Sequence, residues 1–139
     1  MIESHTNMSV PIRQVEPVHV GRIRIGSGCP LALIAGPCVI ESREHTLRMA
    51  EAIGKIAAAV NIPLIFKASF DKANRSSLRG FRGPGLETGL KILGEVKSHT
   101  GLPVVSDLHE SSQAQEAGKV LDLLQIPAFL CRQTDLLLA

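Results

Sequence analysis

The chain has 139 residues, 45% hydrophobic and 20% charged, with a formal net charge of +2, the composition of an ordinary folded domain with room for a real core. Four Phe with no Trp or Tyr leave little for nucleic-acid bases to stack on, and so small a net charge cannot drive association with nucleic acid or a membrane surface. Three cysteines, Cys29, Cys38 and Cys131, an odd number without CxxC spacing, and an N-terminus without a secretory pattern indicate a reducing cytoplasm, while no apolar run reaches the roughly 20 residues of a membrane helix.

Residues 1–30 are broken by Pro11, Pro17, Gly21, Gly26, Gly28 and Pro30, and the alternating piece Val18–Ile25 predicts an N-terminal arm with a small hairpin or edge strand. From Leu31 the pattern changes. Leu31–Ala35 is continuously apolar, as expected of a strand covered on both faces, and stops at Gly36-Pro37. Ser42 is placed to cap a helix with Glu44 in its first turn, and Leu47, Ala50, Ile53, Ala57 and Val60 mark that helix's buried face. Asn61 and Pro63 stop it.

A second strand, Leu64–Phe70, runs into the basic cluster Lys67 to Ser77, which sets two lysines, an arginine, an amide and hydroxyls side by side. Lysine supplies a point charge and arginine a planar fork, so the cluster suits a small, multiply anionic ligand; the alternative is a solvated basic loop. The glycine-rich stretch Gly80 to Gly85 lacks Walker spacing and is expected to be a flexible loop. Leu86, Leu90, Leu93 and Val96 predict a second helix closed by Gly101 and Pro103; Leu102–Leu108 a third strand; Ser112 to Gln115 a capping box opening a short helix to about Val120; and Leu121–Ile126 a fourth strand, with a fourth helix beginning before Ala139.

Strand followed by helix four times, with connections too long for hairpins, predicts right-handed crossovers and an α/β fold with a parallel sheet. In such sheets ligand sites collect at the carboxyl ends of the strands. Those ends carry Cys38, Lys67 with Ser69, Asp107 with His109, and Gln125 followed by Phe129 and Arg132. Asp107-x-His109 reads equally as an acid/base pair, a metal pair or a structural pair, and Cys38 as a thiolate ligand or a buried apolar cysteine. Cys29 and Cys131 read as structural.

Four motifs in order, Ile34 to Ser42, Phe66 to Ser77, Ser106 to Glu110 and Gln125 to Asp135, resemble those of the 3-deoxy-D-manno-octulosonate 8-phosphate synthase family, from about residue 31 to the end. The resemblance implies a (β/α)8 barrel, of which residues 31–139 would be the first four units, after an arm or hairpin at 1–30. It implies a transferase of lipopolysaccharide biosynthesis that condenses phosphoenolpyruvate with arabinose 5-phosphate. Lys67, Lys72 and Asn74 match catalytic positions; Lys67, Ser69, Lys72, Gln125 and Ala128 match phosphoenolpyruvate contacts. Asn74, Arg75 and Ser76 match contacts to the pentose phosphate, and Phe129 and Arg132 a segment near it across a boundary of a homotetramer. Cys38 resembles the branch that uses a divalent metal (Zn, Fe or Mn), whose other ligands lie outside these motifs, so the chain alone is expected to be inactive and metal-free. The related synthase that uses erythrose 4-phosphate, and a non-catalytic half barrel that self-associates, are the alternatives.

Overall fold

A computed structural model describes residues 15–77 and 79–139. Strands β1 (Val18–Val20) and β2 (Ile23–Ile25) form an antiparallel pair turning at Gly21. Then β3 (Leu33–Ala35), α1 (Arg43–Ala59), β4 (Leu64–Lys67), α2 (Leu86–Thr100), β5 (Val104–Asp107), α3 (Ala114–Gly118), β6 (Leu123–Gln125) and α4 (Thr134–Leu138) follow in turn. Strands β3, β4, β5 and β6 form one parallel sheet in sequence order. The expected α/β class with a parallel sheet is therefore what the chain adopts, and a hairpin stands where the alternating piece Val18–Ile25 predicted one. Residues 1–14 of the expected arm lie outside the described residues.

Alternation along the strands divides the sheet into two faces. Phe66 and Val104 point to the helix side, where they pack with Ala50, Leu90, Leu93, Val96 and Ala117. Ile65, Val105 and Leu123 point the other way, and the hairpin residues Val20, Ile23 and Ile25 cover them. One step further along the strands, this second face changes character. Lys67, Asp107 and Gln125 occupy it, because side chains two residues apart on a strand share a face. The hairpin thus shields an apolar row at the amino ends and leaves a polar row at the carboxyl ends.

The helices follow their sequence signals. The Ser42 hydroxyl accepts a hydrogen bond from the His45 amide at 3.1 Å, and the Thr46 hydroxyl bonds the Ser42 carbonyl at 2.7 Å. Gly101, at φ +69, ends α2 with its N–H on the Lys97 carbonyl, a left-handed cap that glycine adopts without strain. Ser42→Ala should cost about 1 kcal/mol of stability, measurable by denaturant unfolding, because it orphans one first-turn amide.

Several expectations need correction. Strand β3 is not covered on both faces: Leu33 and Ile34 are 39% and 47% exposed, since β3 is an outer strand of the sheet among the described residues. Val60 is not on the buried face of α1; it is the exposed residue that caps its end. The capping box lies two residues earlier than expected, joining Glu110 to Gln113, because a 3-10 turn over Ser111–Gln113 precedes α3. The regular strands also end sooner than the apolar runs suggest, at Lys67 and at Asp107.

Candidate functional site

The site begins with a close crossing of two backbones. A Cβ on Gly36 would fall 1.9 Å from the Lys67 carbonyl oxygen, so only glycine lets the end of β3 lie against Lys67. Past this point, Val39 bridges Ser69 in parallel fashion and the Ile40 N–H reaches the Ser69 carbonyl at 3.0 Å. Cys38 occupies the interruption between the two pairings and is exposed, which overturns the reading of it as a buried apolar cysteine. Cys29 is half-buried and Cys131 exposed, the latter at odds with a structural packing role.

Ser69 is fully buried and is the hub of the site. Its Oγ accepts from Lys72 Nζ at 2.6 Å and from Lys67 Nζ at 3.3 Å, so two ammonium groups converge on one hydroxyl. Burial pushes the Lys67 pKa below the ordinary lysine value; Asp107 opposes that shift and the like charge of Lys72 adds to it. Asp107, on the adjacent strand, is the counter-charge. Burial works against its ionisation, yet the Ser69 hydroxyl, its own backbone N–H, Lys72 and Lys67 outweigh burial and hold its carboxyl below the usual range. Among the described residues Asp107 Oδ1 is buried with no hydrogen-bond partner. Asp107 Oδ2 bonds His109 Nε2 at 3.1 Å, and His109 lies edge-on to Phe70, with Nδ1 likewise buried and without a partner among the described residues.

The electrostatics predict an acid-sensitive site. A carboxylate held below its ordinary pKa contributes stability that is complete above about pH 4 and is lost as the pH falls through its lower folded value. Asp107→Asn should therefore lower the unfolding midpoint at neutral pH, where Lys67 and Lys72 lose their counter-charge, and the gap from the parent should close below about pH 4. A pH series of thermal melts checks both halves of that expectation.

The other expected site residues fall into three places. Gln125 pairs in register with Asp107 and its carbonyl accepts the Leu108 N–H at 3.0 Å, so it joins the polar row. Asn74, Arg75 and Ser76 are exposed and make no hydrogen bond to the lysine pair among the described residues; Arg75 Nε instead donates to the Phe81 carbonyl at 3.1 Å. Arg75 and Ser76 line an open groove of about 710 Å³ with Val39, Glu41, Ser77, Gly80 and Phe81. Ala128, Phe129 and Arg132 are exposed in the turn after β6.

The expected flexible loop is anchored. Gly83, at φ +119, packs so closely on Phe70 that a Cβ would meet its carbonyl oxygen at 2.4 Å, and the Gly85 N–H donates to that same oxygen at 3.0 Å. Arg82 forms a two-point bond to Asp71, which is thereby kept below the usual carboxylate pKa. This ion pair was not anticipated, since nothing in a spacing of eleven residues signals it. Asp107 had a signal, the Asp-x-His step at a strand end, that did not distinguish counter-ion from acid or ligand.

Among the described residues no three His, Cys, Asp or Glu side chains gather into a metal site. Within that set Cys38 is exposed and offers a single soft donor, where a metal site takes several ligands. No helix of the described residues is long and apolar enough to cross a membrane.

Residues 2–139 match the DAHP synthetase I family. Among curated proteins the chain is 58% identical over 125 residues to "2-dehydro-3-deoxyphosphooctonate aldolase" of Geotalea daltonii, covering 90% of this chain and 46% of the relative. It is 60% identical over 120 residues to the protein of that name in Geobacter metallireducens (86% and 44%), and 62% identical over 117 residues to that of Desulfatibacillum aliphaticivorans (84% and 43%). The chain thus spans less than half the length of the curated relatives it matches.

Proposed function

This chain belongs to the DAHP synthetase I family, and on that premise we propose that its strand-end cluster is the phosphoenolpyruvate site of a synthase that adds this donor to arabinose 5-phosphate. The observation that carries the reading is the convergence of the Lys67 and Lys72 ammonium groups on Ser69 beside Asp107. Two fixed cations at a strand end match a donor that carries both a carboxylate and a phosphate. The name shared by the relatives, 2-dehydro-3-deoxyphosphooctonate aldolase, favours the five-carbon sugar phosphate over erythrose 4-phosphate.

In this proposal Lys67, Ser69, Lys72, Gln125 and the backbone at Ala128 hold phosphoenolpyruvate. Asn74, Arg75 and Ser76 take the sugar phosphate in the groove beside Phe81, and Phe129 and Arg132 approach it from a neighbouring subunit of a tetramer. The enol carbon attacks the sugar aldehyde, water captures the cationic carbon that results, and phosphate leaves with cleavage of its bond to carbon. Lys67 and Lys72 orient the carboxylate and phosphate for attack and stabilise charge on them, a positioning and electrostatic role that requires no covalent enzyme intermediate. Asp107 offsets the repulsion between the two lysines.

The four strand–helix units are proposed to be the first half of a (β/α)8 barrel, supported by a sheet in sequence order with outer strands at β3 and β6 and by the share of the relatives that the chain covers. The protein is proposed to work in the cytoplasm. Joining the chain to the carboxy-terminal part of the Geotalea daltonii relative and assaying phosphate release tests the function. Turnover with arabinose 5-phosphate, and little with erythrose 4-phosphate, is expected; the reverse preference, or none with either sugar, would overturn it.

A further inference from the structure

Lys72 differs from Lys67 in how it is held. Lys67 is fixed by the sheet, whereas Lys72 lies past the end of β4 in a segment with no regular structure. A lysine there has a long, flexible stem and would ordinarily spend its side-chain freedom in solvent. Its Nζ nevertheless sits 2.6 Å from Ser69 Oγ.

The neighbouring bonds explain why. Asp71 Oδ1 accepts the Lys72 backbone N–H at 2.8 Å, which fixes where the Lys72 main chain leaves the strand end. The same carboxylate is gripped from the other side by Arg82, Nε to Oδ1 at 2.8 Å and Nη2 to Oδ2 at 2.5 Å. Arg82 is itself held in place by the next residue, since Gly83 packs against the Phe70 carbonyl and Gly85 donates to it. A chain of contacts therefore runs from the anchored loop through Arg82 and Asp71 to the Lys72 amide. Exposed ion pairs are usually worth little, but this one is bidentate, its carboxylate is only 21% exposed, and it shares an oxygen with the main chain it orients.

We propose that Arg82 and Asp71 are positioning residues, a strut that seats the Lys72 ammonium on Ser69 and so completes the anion site. The role assigned to Lys72 rests on the phosphoenolpyruvate reading above, while the strut itself can be tested without any ligand. Limited acylation of the 139-residue chain, read lysine by lysine by mass spectrometry, measures how firmly each amine is held. Lys72 should react several-fold more slowly than the exposed Lys55 and Lys91. In Arg82→Ala its rate should rise by about three- to five-fold, the range an exposed but well-formed ion pair supports.

Arg82→Lys keeps the charge but not the fork, and should give an intermediate rate. Arg43→Ala, which breaks the Arg43–Glu95 pair between α1 and α2, should leave Lys72 unchanged at a similar cost in stability. An unaltered Lys72 rate in folded Arg82→Ala or Arg82→Lys, or an equal rise in Arg43→Ala, would overturn the strut. In parallel, phosphoenolpyruvate affinity should fall by the same factor in Arg82→Ala. Should the parent chain bind no phosphoenolpyruvate while Lys72 still responds to Arg82, the strut stands and the reading of the site fails.

Discussion

Replacing Gly36 by alanine will destabilise the chain by about 3 kcal/mol and lower its melting temperature by about 10 °C, a large effect for a single added methyl group. The position is exposed, so by burial alone the substitution would be called harmless. The reason is the crossing of β3 over β4: the new Cβ would lie 1.9 Å from the Lys67 carbonyl oxygen and 2.8 Å from its carbon. These are backbone atoms and cannot swing aside as the tip of a side chain can. Relief has to come from moving β3 away from Lys67, which breaks the register of Ala35 with Phe66 and loosens the bridge between Val39 and Ser69. The expected signature is therefore a loss of both stability and anion binding. Calorimetry of Gly36→Ala checks the first and a phosphoenolpyruvate titration the second; a melting temperature within about 2 °C of the parent would show that the crossing is not tight.

The second large effect runs in the opposite sense, with binding lost and stability kept. Lys67→Met should weaken phosphoenolpyruvate binding by about thirty-fold or more, the cost of removing one partner from a buried charged contact. Its effect on folding should stay within about 1 kcal/mol, because an apolar side chain of similar length replaces an ammonium that burial already disfavours. Asp107 keeps Lys72 and His109 as neighbours, so it is not stranded. Denaturant unfolding of Lys67→Met beside the parent checks this separation, and a loss of several kcal/mol would mean that the lysine is a structural element rather than a ligand-binding one.

Much of the fold was legible because it depends on local patterns. Strand-length apolar runs alternating with helical stripes gave the parallel sheet, and Ser42 and Gly101 marked helix ends through capping chemistry that needs only neighbours in sequence. What was not legible depends on chain segments meeting in space. Leu33 and Ile34 read as fully covered because an apolar run carries no sign of whether another strand lies beside it. The glycines around Gly83 read as freedom, although their lack of Cβ atoms is what allows the loop to seat against Phe70. Among site residues, Lys67 and Gln125 are brought to one end of the sheet by strand alternation and the Lys72 ammonium joins them through Ser69 just past β4, whereas Arg75 and Ser76 line a groove of their own. The hub role of Ser69 and the Arg82–Asp71 pair arise only where the folded chain brings these side chains together.

The central claim is that two ammonium groups sharing one buried hydroxyl form a single site for a small ligand with two anionic groups. Titrating phosphoenolpyruvate with the chain while following its phosphorus resonance tests it most directly, with Lys67→Met, Lys72→Met and the surface control Lys55→Met measured alongside. One saturable site is expected, lost in the first two variants and retained in the third. Equal binding by all four proteins would contradict the claim.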